Sequence, residues 1–309
     1  MSEIDLFNFY AAPLWGLMFI HNALGYQRYA PLGLIFFRAD QYISIFFFGT
    51  SQELLIIAAL KHDRYMLVYE NITNKMLAGR KQLAILIDPD KTEDKALDSI
   101  VQQSVDAEVD YFFVGGSLLI NNQLDAVIKI LKQAKDIPVV LFPGNTLQMS
   151  WKADAILFLS LISGRNAEML IGRHVISAPY LKLSPLQVIP TGYMLIESGR
   201  PTAVSYMSNS DPIPADKDDI AMCTAMAGEM LGLKLIFMDA GSGAINPVSN
   251  TMISHVKQSI GVPLIVGGGI RSPEQARETS TSGADVLVIG NAIEKNPSLI
   301  GEISHAIRP

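Results

Sequence analysis

The chain has 309 residues, 49% apolar and 17% charged, with 24 basic against 30 acidic side chains and a net charge of −6. That composition excludes a disordered or collagen-like polymer and supplies enough chain for a large core; without a clustered basic excess, nucleic acid is set aside as a partner. The single cysteine, Cys223, excludes an intramolecular disulfide and a CxxC redox or zinc motif, fits a reducing, cytoplasmic setting, and is expected as a buried structural thiol.

Two kinds of sequence are joined near residue 65. Phe, Tyr and Trp number 14 in residues 1–65 and 11 in residues 66–309. The apolar stretches Leu14–Ile20, Leu32–Phe37 and Ile43–Phe48 are interrupted by Asn22, Arg28, Arg38 and Asp40, so none approaches the roughly 18 residues of a spanning helix. Glu3 and Asp5 stand where a secretory signal carries basic residues. Three readings of this extension stay open: an arm that contacts a membrane surface or a partner, a hydrophobic hairpin, or a stretch upstream of the working start. The last is the leading expectation, because Met66 offers a second start and everything that looks enzymatic follows it. Residues 66–309 match the length of a single barrel of about 250 residues.

From Leu83 onward, short β-prone runs alternate with helix-like segments. The runs are Leu83–Ile87, Tyr111–Val114, Val139–Phe142, Ala155–Leu159, part of Val188–Glu197, Leu235–Met238, Leu264–Val266 and Val286–Ile289. Their hydrophobicity is continuous, which marks strands buried on both faces. Eight of them predict a (β/α)₈ TIM-like barrel of the α/β class, preceded by the aromatic-rich extension. Helices are predicted over Thr92–Val105, Asn121–Lys135, Arg165–Val175, Asp216–Leu231, Pro247–Ser259 and Pro273–Ser282. The third gap, Pro143–Asp154, is too short for a crossover helix and carries Pro143, Gly144 and Asn145, so the third helix is expected to be reduced or missing. Thr191–Asp216, with Pro201, Pro212 and Pro214, is expected to be the longest irregular segment and functional.

In such barrels chemistry gathers where strands end. There the sequence has Asp88-Pro89-Asp90-Lys91, Gly115-Gly116-Ser117, Asp239-Ala240-Gly241-Ser242-Gly243, Gly267-Gly268-Gly269 and Gly290-Asn291. Glycines let backbone amides encircle an anion, which predicts a phosphate monoester held by Gly241–Gly243, Gly268–Gly269 and Gly290–Asn291. Gly241-Ser242-Gly243 lacks the spacing of a dinucleotide fingerprint. Asp88 and Ser117 lie on neighbouring strand ends and suit a shared Mg²⁺, completed by substrate oxygens and water; Asp88 serves equally as a cap for the next helix. The five histidines show no metal spacing. Another phosphate-binding barrel acting on a sugar phosphate, and a membrane-surface scaffold using residues 1–65, are the rival classes. The first would want lysines or paired carboxylates at strand ends, where only Lys91 stands close.

Nine motifs in one order carry a resemblance: Ile85–Lys91, Val114–Ser117, Leu141–Asn145, Phe158–Asn166, Ile189–Arg200, Ser205–Pro214, Met238–Ala244, Val266–Ile270 and Val288–Ala292. Together they resemble the geranylgeranylglyceryl phosphate synthases, in the larger archaeal-like branch that also occurs in bacteria, over residues 69–309. The resemblance implies a Mg²⁺-dependent prenyltransferase that joins the 3-hydroxyl of sn-glycerol 1-phosphate to a polyprenyl diphosphate and releases diphosphate. It implies Mg²⁺ at Asp88 and Ser117, and sn-glycerol 1-phosphate at Phe237, Met238, Asp239, Ala240, Gly241, Ser242, Gly243, Gly268, Gly269, Gly290 and Asn291. Asp239 stands where many members have Glu and is assigned to orient or deprotonate the attacking hydroxyl; Phe237 replaces a Tyr common in the family. Tyr193, Glu197, Ser205 and Asn209 fall near the expected mouth. The shortened third unit is where the wall could open for a prenyl chain, with Trp151 either as the floor of that groove or as a core aromatic. A homo-oligomer is implied by the resemblance alone.

Overall fold

The computed structural model describes residues 67–91, 94–121 and 123–308, together with three earlier strand segments. The chain divides into two compact units, with the boundary between Met66 and Leu67. In the first, β1 (Gly33–Ala39), β2 (Tyr42–Phe48) and β3 (Leu54–Lys61) pair antiparallel in that order. The readings placed on the rest of residues 1–65 lie outside the described residues. No helix among the described residues is long and apolar enough to cross a membrane.

The second unit is a closed parallel barrel of eight strands. They are β4 (Gln82–Ile87), β5 (Tyr111–Val114), β6 (Val139–Leu141), β7 (Ala155–Leu161), β8 (Gln187–Leu195), β9 (Leu235–Asp239), β10 (Leu264–Gly267) and β11 (Val286–Ile289), each hydrogen-bonded to the next, with β11 closing onto β4. Alternation divides every strand between two cores. Leu83, Phe112, Ile236 and Leu287 face the helices, while Ala84, Phe113, Leu235, Phe237, Ile265 and Val288 fill the barrel interior. Both faces are therefore apolar, the physical origin of the continuous runs.

The outer ring consists of α2 (Asp94–Asp106), α3 (Leu124–Leu131), α4 (Arg173–Leu183), α6 (Asp218–Met230), α7 (Asn250–Ser259), α8 (Pro273–Thr281) and α10 (Leu299–Ile307). Between β6 and β7 there is no helix, as the short gap predicts. Residues 143–154 instead form turns, latched by the Gln148 side chain, which donates to the Gly116 carbonyl at 2.8 Å and accepts from the Gly144 amide at 3.0 Å. Gly144 is required here, since a Cβ would lie 2.3 Å from the Gly116 carbonyl oxygen.

Four expectations are corrected. A π-turn, Glu168–Gly172, leads into α4, which runs on to Leu183 rather than stopping at Val175; Pro179 lies inside it on the exposed side, where the missing amide bond faces water. The segment Thr191–Asp216 is not irregular throughout, because β8 continues to Leu195 and Thr202 caps a short helix, α5 (Ala203–Ser208). Cys223 is exposed on α6 rather than buried. Trp151 is 59% exposed, neither a core aromatic nor a groove floor.

The opposite end of the barrel is sealed by α1 (Val68–Leu77), whose Val68 and Ile72 join the interior core. Gln82 donates to the Ile72 carbonyl at 3.1 Å and accepts from the buried Tyr111 hydroxyl at 2.7 Å. Beside it Asp110 is buried and gathers Lys75 at 2.6 Å, the Arg308 guanidinium and the Leu83 amide at 2.8 Å. Asp110→Ala strands these donors and should cost about 3 kcal/mol; urea unfolding followed by circular dichroism measures it, and a midpoint equal to that of the parent chain would refute the role.

Candidate active site

The strand ends open into a cavity of about 770 Å³ lined by Asp88, Lys91, Ser117, Phe237, Asp239 and the glycine loops after β9, β10 and β11. Strand alternation aims Leu235, Phe237 and Asp239 into the barrel, with Asp239 uppermost at the mouth. The Tyr193 hydroxyl, on neighbouring β8, donates to Asp239 Oδ2 at 2.6 Å, and the Gly241 amide donates to Oδ1 at 2.7 Å. Burial pushes the Asp239 carboxyl above the ordinary carboxylate range, and these two donors oppose that shift. The Tyr193 hydroxyl is pushed up by its own burial and by the Asp239 charge beside it.

The loop after β9 is a backbone cradle. Gly241 and Gly243 after β9, and Gly268 and Gly269 after β10, all have positive φ, a backbone conformation that glycine adopts without strain. Among the described residues, the amides of Ser242, Gly243, Gly268, Gly269 and Asn291 have no carbonyl acceptor. Ser242 and Asn291 hydrogen-bond through their side chains at 3.2 Å, joining the β9 and β11 loops, and Gly290 opens a short helix, α9 (Asn291–Lys295). Arg200 donates to the Gly243 carbonyl and Arg271 to those of Ala244 and Ile245, so two guanidiniums brace the cradle. Five amide donors around one space, with cations behind them, suit a phosphate group. A Cβ at Gly268 would lie 2.7 Å from Asp239 Oδ1 and from the Gly241 amide nitrogen, at a φ of +82°. Gly268→Ala should therefore weaken phosphomonoester binding about 30-fold, as read by calorimetry with sn-glycerol 1-phosphate; unchanged affinity would remove the cradle.

Asp88 lies at the end of β4. Its carboxylate packs against the Gly116 backbone, 3.3 Å from where a Cβ would be, and Ser117 follows directly. Asp90 does other work: it accepts from the Ile120 and Asn121 amides and pins that loop. Among the described residues no three His, Cys, Asp or Glu side chains converge on one point. The donor set is one carboxylate and one hydroxyl, which fits a hard cation that takes its other ligands from substrate and water.

A second space adjoins the first. An apolar crevice of about 170 Å³ runs past Phe142, Ile156, Leu157, Met169, His174, Ser177 and Leu181, where the third helix is absent, and shares Gly116, Ser117, Phe142 and Val204 with the polar cavity. Phe237 stacks on Phe142 at 5.1 Å between centroids, and the Tyr193 ring meets both. Tyr193 thus lines the crevice with its ring and holds Asp239 with its hydroxyl. His174 packs its ring edge-on to Phe158, and burial lowers its basicity.

The structure brings Asp88, Ser117, Phe237, Asp239, Gly241, Ser242, Gly243, Gly268, Gly269, Gly290 and Asn291 around one cavity. Met238 and Ala240 are fully buried beside it, facing the helices. Glu197 is exposed and accepts from the Ala215 amide, Ser205 forms the α5 capping box, and Asn209 ends α5 in a left-handed conformation, so these three shape the loop. Sequence reasoning missed the hydroxyl role of Tyr193 and the bracing by Arg200 and Arg271; Tyr193 follows Thr191 and Ile189 at period two, the signal that it faces inward.

A model of the PcrB family matches residues 76–307. The chain is 55% identical over 240 residues to a geranylgeranylglyceryl phosphate synthase of Chitinophaga pinensis, across 78% of this chain and 95% of that protein. It is 40% identical over 240 residues to the Pyrococcus furiosus protein of the same name, across 77% and 92%. The crystal structure of (S)-3-O-geranylgeranylglyceryl phosphate synthase from Thermoplasma acidophilum with its substrate sn-glycerol-1-phosphate superposes with a TM-score of 0.75 at 33% identity, across 79% of this chain and 99% of that one. A Mycobacterium tuberculosis tryptophan synthase, at a TM-score of 0.51 and 14% identity, shares the fold alone.

Proposed function

The chain belongs to the PcrB family, and from that footing we propose that it forms an ether bond between the 3-hydroxyl of sn-glycerol 1-phosphate and a polyprenyl diphosphate, geranylgeranyl in its relatives' names, releasing diphosphate. The observation that carries this reading is the meeting of an amide cradle, a buried carboxylate and an apolar crevice along shared walls. A small sugar phosphate would leave the crevice without a purpose.

The cradle holds the phosphomonoester and presents the glycerol hydroxyl to Asp239. An Asp239 oxygen takes the hydroxyl proton as the glycerol oxygen bonds to C1 of the donor, and the C1–O bond breaks with its electron pair leaving on diphosphate. With Tyr193 and the Gly241 amide each donating to one oxygen, the carboxylate plane is fixed and each oxygen keeps a lone pair. Phe237 offers no hydroxyl to glycerol; from β9 it packs edge-to-face against the Tyr193 ring beside it on β8. Asp88 and Ser117 would hold Mg²⁺, whose chemistry is to neutralise charge gathering on the departing diphosphate. The crevice seats the prenyl chain and keeps water from the reacting carbon. A cytoplasmic homo-oligomer belongs to the same reading.

The test is an ether-forming assay of the full chain with Mg²⁺, labelled sn-glycerol 1-phosphate and prenyl diphosphates of graded length. Product with one preferred donor is expected, and folded protein yielding none from any donor would overturn the reading.

A further inference from the structure

Two substrates of opposite purpose but like charge must share the polar cavity: a phosphomonoester and a diphosphate. The cationic side chains lining it are Lys91, Arg200, Arg271 and Lys295. Both arginines brace carbonyl oxygens behind the phosphate cradle. Lys91 stands elsewhere, at the end of β4, where its ammonium lies 2.5 Å from Asp88 Oδ2. Its side chain is 53% exposed, so it is free to swing about a flexible four-carbon stem. The turn that places it is fixed: the Lys91 amide donates to the Asp88 carbonyl at 3.1 Å and the Asp90 amide to Asp88 Oδ1 at 3.1 Å. Opposite, on α9, the partly buried Glu294 is close enough to feel both the Asp88 and the Lys91 charge.

We propose that Lys91 has two partners in turn: it neutralises Asp88 while the cation is absent, and moves to the diphosphate of the prenyl donor once donor and cation arrive. The cation and Lys91 repel each other and compete for one carboxylate, whereas the diphosphate attracts both. When the C1–O bond breaks and its electron pair stays on the leaving oxygen, the ammonium strengthens its hydrogen bond there without giving up its proton. Lys91 is thereby a leaving-group ligand, and its resting ion pair keeps the site from a cation bound without its donor. This deepens the proposed transferase reading and rests on it.

The two roles push metal and diphosphate affinity in opposite directions, which no merely structural lysine would do. Calorimetry or manganese resonance on the full chain, without turnover, compares the parent with Lys91→Met and Lys91→Arg. In Lys91→Met, Mn²⁺ alone should bind about threefold to tenfold more tightly, and inorganic diphosphate in the presence of Mg²⁺ about 10- to 100-fold more weakly. Lys91→Arg should restore most of the diphosphate affinity, and sn-glycerol 1-phosphate should bind all three alike. Diphosphate affinity unchanged in Lys91→Met, or Mn²⁺ affinity unchanged or weaker, overturns the proposal. A parent chain that binds Mg²⁺ and diphosphate as described but makes no ether overturns the transferase reading instead.

Discussion

Asp88→Ala should lower turnover about 10³-fold or more and abolish its response to Mg²⁺. The loss is large because departure of diphosphate builds charge at the polar end of the cavity, where Asp88 supplies the carboxylate against the Gly116 backbone. Alanine leaves Ser117 as the remaining assigned ligand, too little for a hard cation. The phosphate cradle is made of backbone amides on the loops after β9, β10 and β11 rather than of the Asp88 side chain, so binding of sn-glycerol 1-phosphate should stay within about threefold of the parent. Steady-state rates against Mg²⁺ concentration, with calorimetry for the acceptor, make the measurement. Activity that survives with the same metal dependence removes Asp88 from the assignment.

Asp239→Asn is the second large effect. Its amide can accept from Gly241 and donate to the Tyr193 oxygen, so the geometry is kept while the base is lost; kcat should fall about 10²- to 10³-fold with little change in the acceptor's KM. Stability should move the other way. Because burial raises the folded carboxyl above the ordinary carboxylate range, the folded state binds the proton more readily than the unfolded state. Its contribution is fully present below the unfolded value and is lost as pH rises through the folded one. Asparagine carries no such penalty, so the Tm of the variant should match the parent in acid and equal or exceed it at neutral pH. The parent's kcat should fall on an acid limb lying above the ordinary carboxylate range, and that limb should vanish in the variant. Unaltered kcat would take Asp239 out of the chemistry.

The eight strands were legible because a barrel buries both faces of each strand, and the missing third helix because residues 143–154 hold too few for a crossover. Strand-end glycines showed where backbone could surround an anion. The π-turn and the length of α4 were hidden, since Pro179 reads as a stop unless its lost bond is known to face solvent. Helix α1 gave no signal of sealing the barrel, because that role depends on Gln82 and Tyr111 from two strands. The Tyr193–Asp239 bond joins residues 46 apart on adjacent strands, which only the barrel register brings together. Cys223 and Trp151 misled for one reason: residue type sets an average burial, and each sits on an outer face.

The Tyr193 side chain has one end in each compartment, its ring along the apolar crevice and its hydroxyl on Asp239. A prenyl chain in the crevice would touch that ring, and an acceptor at Asp239 would meet the same side chain through its hydroxyl. On the proposed function, any coupling that this side chain carries between donor and acceptor must act by the same factor in both directions.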